Sequence, residues 1–253
     1  MKRFALAACA LVALLFSANP GRSGEDKDLR AVIDKALAAH GGEANLAKFK
    51  AQIIKGEGKS FAAGDPIDFN IELTSQNEKQ FRLGLALKIM GLDLKITTVV
   101  NGNKGWEKAN DDVKEMPADE VAEQNEQMHA NQVIGLLPLK NKDYTLSSLG
   151  DVKVGDQPVV GVRVSKKGHR DVNLFFDKAK GHLVKSEYIV KDLKTSGDKE
   201  LTQTMLYSDY KEFQGTQQPT RLVMERDGKK FAEMRMSEIQ LLETVDNSTF
   251  DRP

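Results

Sequence analysis

From Ile53 onward the apolar residues fall at every second position. Ile67, Phe69, Ile71 and Leu73 alternate with polar neighbours, and Phe81, Leu83, Leu85, Leu87 and Ile89 are separated by Arg82, Gly84, Ala86 and Lys88. This spacing is that of strands with one apolar face. "LDLKITTVV", Leu92 to Val100, continues it, and "NGNKGWEK" then supplies a turn that places Trp106 at the start of the next strand. Further strands are predicted over 143–149, 158–166, 171–177, 183–191, 200–212, 219–226 and 230–241. Their connections are short. In "DKAKG" and "ERDGKK", Gly181 and Gly228 can take the positive φ that a tight hairpin turn requires.

Two regions break this rhythm. "DKDLRAVIDKALAAHGG" carries Leu29, Val32, Ile33, Ala36 and Leu37 at the three-and-four spacing of one helix face, and it ends at Gly41 and Gly42. A short helix over about 43–49 follows. "MPADEVAEQNEQMHANQVIGLLPL" opens with Pro117, has Asp119 and Glu120 in its first turn, and predicts a helix from about Ala118 to Leu136. The fold class is therefore mainly β with a minor helical part (α+β). One antiparallel sheet curls toward a barrel, and two helical regions have too little apolar surface to cover it all. No linker or composition shift divides residues 24–253, which are expected to form a single domain.

The N-terminus reads as an export signal over residues 1–23. Lys2 and Arg3 precede the apolar run Phe4 to Ala18, and cleavage is expected after Ala18 or Ser23. The letters "LAAC" imitate a lipoprotein box at Cys9, but Cys9 sits inside the apolar run and not at its end, which argues against a lipid anchor. The mature chain is expected to be soluble, exported or periplasmic, with no membrane-spanning segment. Since Cys9 is the one cysteine, removal of the signal also removes disulfide and thiol chemistry. Lys plus Arg and Asp plus Glu each number 37, so no net field recruits nucleic acid.

Catalytic signatures are missing from the sequence. His40, His129, His169 and His182 lie in separate segments without metal-site spacing, and no GxSxG, GxxxxGK[ST] or GxGxxG occurs. His40 is expected to act as an imidazolium at a helix C-terminus. Asp177 is expected to bind the amides of a turn, and Asn110 to Asp112 to form a polar loop. Strand alternation puts Tyr207 and Asp209 on one face and Tyr210 on the other. No catalytic residue, metal site or cofactor is expected. The methionines at 205, 224, 234 and 236 stand out, because flexible thioethers suit either an irregular core or an adaptable apolar pocket.

Several stretches together carry a family resemblance. These are "ALAAHGG", "ANLAKFKAQIIKGEGK", "NGNKGWEK", "LFFDKAKGHLVKSEY" and the C-terminal "YSDYKEFQGTQQPTRLVMERDGKKFAEMRMSEIQLLETVDNSTFDRP". The chain resembles outer-membrane lipoprotein-sorting-like proteins of the LolA/LolB-like superfamily of periplasmic lipoprotein carriers. The resemblance implies a strongly curved, incomplete antiparallel β-barrel with helices covering its concave face and a cavity for acyl chains. Expected ligand-lining residues are Phe69, Ile71, Phe81, Leu83, Leu85, Ile96, Met205, Met224, Met234 and Met236. Met128, Val133 and Ile134 would face inward from a helical lid. The expected partner is a hydrophobic ligand or lipoprotein acyl chain, with envelope proteins as further partners. Two rival readings are an envelope scaffold with a packed barrel and a hydrolase acting on an envelope component.

Overall fold

The computed structural model describes residues 20–62, 64–193 and 198–253, with side chains from residue 28 onward. Cys9 and the apolar run Phe4 to Ala18, expected to be an export signal, lie outside these residues. The chain begins with α1 (Pro20–Ala39) and α2 (Glu43–Leu46). A first meander follows: β1 (Ala51–Ser60), β2 (Ile67–Gln76), β3 (Gln80–Ile89), β4 (Leu92–Asn101), β5 (Lys104–Ala109) and β6 (Asp112–Glu115). Helix α3 (Ala118–Ile134) and a 3-10 turn (Leu137–Lys140) lead to the second meander. This comprises β7 (Tyr144–Val154), β8 (Gln157–Lys166), β9 (Val172–Asp177), β10 (Leu183–Asp192), β11 (Lys199–Phe213), β12 (Thr216–Arg226) and β13 (Lys229–Leu242), then a 3-10 turn (Asn247–Phe250).

The strands form one 13-stranded antiparallel sheet, ordered β6-β5-β4-β3-β2-β1-β13-β12-β11-β10-β9-β8-β7. The first strand pairs with the last, Ala51 opposite Leu242, so the two meanders join at the middle of the sheet. The outermost strands β6 and β7 do not pair, which leaves an incomplete, curved barrel. Helix α3 is the segment that runs from one free edge to the other.

Register explains the curvature near the join. Met234, Gly58, Phe69, Leu87 and Leu94 stand opposite one another in successive strands, as do Met236, Gly56, Ile71, Leu85 and Ile96. Directly opposed residues share a face. A side chain on Gly58 would collide with the Glu233 carbonyl and meet the Phe69 ring at 2.6 Å. Glycine there lets Phe69 fold across β1, and the β1–β13 register also slips between Lys55 and Gly56.

The main core lies under the second meander. Leu29, Ile33, Ala36 and Leu37 of α1 and Ala130 and Val133 of α3 pack with Leu146, Val162, Leu174, Phe176, Val190 and Met205. A second cluster, Val100, Met116, Val121 and Met128, seats the first half of α3 beside β4. Arg30 of α1 donates to the carbonyl of Tyr144 at 3.0 Å and to that of Leu139, tying α1 to β7 and to the turn before it.

Strand β7 runs on to Val154 and α3 stops at Ile134, and four further details differ from the sequence expectation. The second helix stops at Leu46. Asp112 opens strand β6 instead of belonging wholly to a loop, because Asn110, at φ 52°, makes a turn tight enough for a return strand. Strand β12 starts before Pro219, which is tolerated because the β13 ladder begins only at Arg221. Finally, Asp209 takes φ 55°, and Thr220 Oγ1 donates to its carbonyl at 2.6 Å. This left-handed residue turns the strand, so Tyr210 packs against the same core as Tyr207 while Asp209 pairs outward with Arg235 at 3.5 Å. Simple alternation fails wherever a residue leaves the β region.

Gly58→Val is expected to lower stability by about 1–3 kcal/mol, since Phe69 and the Glu233 carbonyl occupy the space its side chain needs. Urea denaturation checks this; an unchanged midpoint would show that Phe69 can move aside freely.

Candidate ligand-binding face and its lid

The helices cover the sheet unequally. On the inward face of the first meander, Leu83, Leu85 and Ile96 are half-buried yet join none of the packed clusters formed by the described residues. Leu73, Leu87 and Leu94 share that condition and that face. Alternation made these positions apolar, and the helices make most of their contacts elsewhere, α1 with β7 and α3 with β10, β9 and β5. An apolar surface of this kind gains free energy by meeting an apolar ligand or partner.

A cavity of 660 Å³ lies against this part of the sheet. Phe69, Leu87, Leu94 and Met234 border it, together with charged neighbours that include Lys59, Asp68, Lys88 and Arg235. Lys59 and Asp68 pair with each other at 3.0 Å. Beside the cavity, the β3–β4 hairpin turns through Met90 and Gly91 at φ 50° and 84°, a primed two-residue turn. Its tip is apolar: Met90 is 99% exposed, Leu92 74% and Ile89 38%. Asn, Asp or Gly ordinarily fills the first turn position, so methionine there gives the hairpin an exposed side chain at a conformational cost of about 1–2 kcal/mol.

The expected lining residues separate into three groups. Phe69 and Met234 border the cavity, whereas Ile71, Phe81, Leu83, Leu85, Ile96, Met205, Met224 and Met236 do not. Met205 and Met234 are buried in the main core, with Ile71, Met224 and Met236 half-buried against it. Phe81 packs on the second cluster beneath α3. Leu87 and Leu94 also border the cavity, though in the sequence they are marked only as members of the alternating runs. What would have singled them out is Gly58, whose absent side chain opens the row they share.

The three expected lid residues lie in different clusters. Met128 is buried in the second cluster, and Val133 is buried in the main core with Ile134 half-buried against it. Polar bonds fasten the helix on both sides. Asn125 Nδ2 donates to the Gly102 carbonyl at 3.1 Å and Gln132 Nε2 to that of Asn77 at 2.9 Å. On the opposite side the buried Glu123 accepts from Arg170 at 2.6 Å and from the Lys191 amide at 3.1 Å.

The histidines are brought into pairs that their sequence separation concealed. His129 and His169 stack with ring centroids 3.7 Å apart. His40 meets His182 edge-on at 5.5 Å, and His182 stacks on Tyr210 at 4.3 Å. His40 caps α1 by its Nδ1 bond to the Ala36 carbonyl at 2.7 Å, but burial chiefly, and then His182, lowers its pKa. The neutral ring is therefore favoured, not the imidazolium that the helix dipole alone suggested. Burial outweighs the dipole when water is excluded. Asp177 accepts from the Lys180 amide and from Gln157 as a turn cap, which holds its carboxyl below the usual range. No group of three His, Cys, Asp or Glu among the described residues is placed to hold a metal.

Three solved structures are similar over most of the chain. An outer-membrane lipoprotein-sorting protein domain from Vibrio parahaemolyticus shares 13% identity, with a TM-score of 0.53, covering 87% of this chain and 95% of that one. A LolA superfamily protein from Nitrosomonas europaea shares 12% at a TM-score of 0.52, covering 87% and 96%. A DUF1329 family protein from Desulfovibrio piger shares 10% at 0.54, covering 88% and 96%. This chain has a LolA-like fold. No protein-family model and no curated protein matches its sequence. At this identity the likeness resides in backbone architecture, so the side chains of the uncovered face must be read on their own terms.

The unequal coverage of this LolA-like sheet has a stability signature. Leu174→Ala, at a fully buried core position, is expected to cost about 2–5 kcal/mol. Leu85→Ala, at the uncovered face, should cost about 1 kcal/mol or less. Equal losses in parallel urea titrations would mean that Leu85 is packed in solution.

Proposed function

We propose that the protein is a non-enzymatic carrier of the bacterial envelope, holding an acyl chain or a comparable apolar ligand between the sheet of the first meander and α3. The observation that carries this reading is the row of half-buried, unclustered leucines and Ile96 beside a 660 Å³ cavity. Burying that surface against a hydrocarbon contributes roughly 25 cal/mol per Å² before ordering costs are subtracted. The LolA-like fold supports the reading, one similar structure being a lipoprotein-sorting domain. Export is supported by the N-terminal signal pattern, and no helix among the described residues is long and apolar enough to cross a membrane.

Native mass spectrometry of the protein purified from a bacterial envelope, with lipid extraction of bound species, tests the proposal. A co-purified acyl ligand is expected, and Leu85→Lys should weaken fatty-acid uptake at least about tenfold while leaving the fold intact. A bare mass under gentle conditions, with no uptake of added fatty acid or lipopeptide, overturns it.

The exposed hairpin tip favours a second reading, an envelope interaction module. Met90→Asn suits the primed turn and should hold or raise stability. If that substitution removes binding to envelope components while Leu85→Lys has no effect, the scaffold reading replaces the carrier.

A further inference from the structure

Helix α3 carries Glu123, Glu126 and His129 at three-residue spacing, which places them along one side of the helix. All three meet the turn between β8 and β9. Glu126 accepts from His169 Nδ1 at 2.8 Å and from the Arg170 amide at 3.1 Å, and Glu123 pairs with the Arg170 guanidinium at 2.6 Å. The His129 ring lies flat on that of His169, with an interplanar angle of 17°, and parallel to Tyr144 of β7 at 6.0 Å. Lys166 sits over Tyr144 at 4.8 Å. The charged and titratable groups facing His129 are therefore His169 and Lys166 from β8 and its turn, Tyr144 from β7, Glu126 from its own helix, and Glu78 from the β2–β3 turn.

The end of the same helix is strained. Leu136, fully buried in the main core, has φ 67° and ψ −36°. A bulky aliphatic side chain at positive φ is a conformational outlier, retained only because its surroundings enforce it. Leu136 is the joint between α3 and the 3-10 turn that leads to β7.

We infer that α3 is an acid-released lid, latched by the stack of neutral His129 on His169 and hinged at Leu136. A proton on His129 would set a cation against the His169 ring and close to Lys166, where little water screens it. Swinging the helix outward hydrates that charge and lets Leu136 return to an ordinary conformation. The burial of Val121, Met128, Ala130 and Val133, the Glu123–Arg170 pair and the Asn125 and Gln132 bonds oppose release and so set its threshold. That release admits an apolar ligand rests on the carrier reading; the latch itself does not.

The sign follows from the two states of the lid. With the lid down, burial chiefly, then His169 and Lys166, hold the His129 pKa at about 4, against the raising influence of Glu126 and Glu78. Freed into water, the ring returns toward 6.5. The closed lid is thus fully favoured above that value and loses ground as the pH falls from 6.5 toward 4. Each unit of acidification in that window moves the closed-to-open ratio by up to about tenfold.

Hydrogen exchange of the full chain, read by mass spectrometry at pH 7.5 and pH 5 and corrected for intrinsic exchange, tests this without any ligand. Expected is a loss of protection confined to residues 121–136 at the lower pH, abolished by His129→Phe, which keeps the stack but cannot take a proton. His169→Ala removes the stacking partner and should loosen the same segment at pH 7.5 already, a check that holds even if His129→Phe folds poorly. Protection of α3 that does not change with pH, or the same change in His129→Phe, overturns the latch. So does simultaneous loss of protection in β11 and β12, which would mark general acid unfolding. Fatty-acid uptake at the two pH values is a separate measurement: acid-released exchange without uptake sinks the carrier reading and leaves the latch standing.

Discussion

The pairing of β1 with β13 is the interaction on which the architecture depends. It joins strands almost two hundred residues apart in the chain and fuses two local meanders into one sheet. Every other strand pair is a hairpin or a near neighbour in sequence, and could form from local signals alone. The long-range pair also determines where the free edges fall. Because the chain ends meet in the middle, the interior strands β6 and β7 become the rims, and α3 must cross between them.

That crossing makes α3 both structural and mobile in character. It contributes Ala130 and Val133 to the main core and Val121 and Met128 to the second cluster, so it is anchored by burial at both ends. Between those contacts its grip is polar: Glu123, Asn125, Glu126 and Gln132 bond to turns at opposite sides of the sheet. Polar contacts exchange readily with water, whereas buried apolar ones do not. Release of α3 must therefore expose Val121, Met128, Ala130 and Val133 as well as break polar bonds, while the strand ladder beneath it stays intact.

Among the described residues, two long helices and the one-turn α2 cannot shield thirteen strands, and the shortfall is concentrated and not shared. Helix α1 and the end of α3 lie on the second meander, where Leu174, Val162 and Phe176 are fully buried. The first meander keeps the same apolar alternation without the same cover. Its exposed hydrophobic surface is tolerable because it is curved inward, beside a cavity and next to charged strand neighbours such as Lys59 and Lys88. Such a surface is poorly available to another sheet.

Much of this was legible in the residues. The period-two runs marked nearly every strand, Gly181 and Gly228 marked their turns, and Leu29, Ile33, Ala36 and Leu37 marked the buried side of α1, since these signals act between near neighbours. The sequence by itself determined which residues could form strands, which face of each was apolar, and that helical cover would be scarce. Only the tertiary structure decided which half of the sheet stayed uncovered, that Met205 is core while Leu87, Leu94 and Met234 border the cavity, and that four scattered histidines become two stacked or edge-on pairs. Tyr210 changed sides because one residue, Asp209, left the β region, and His40 favours the neutral form because burial outweighs a helix dipole. These outcomes depend on contacts between residues far apart in the chain, and local periodicity carries no information about which distant surfaces meet.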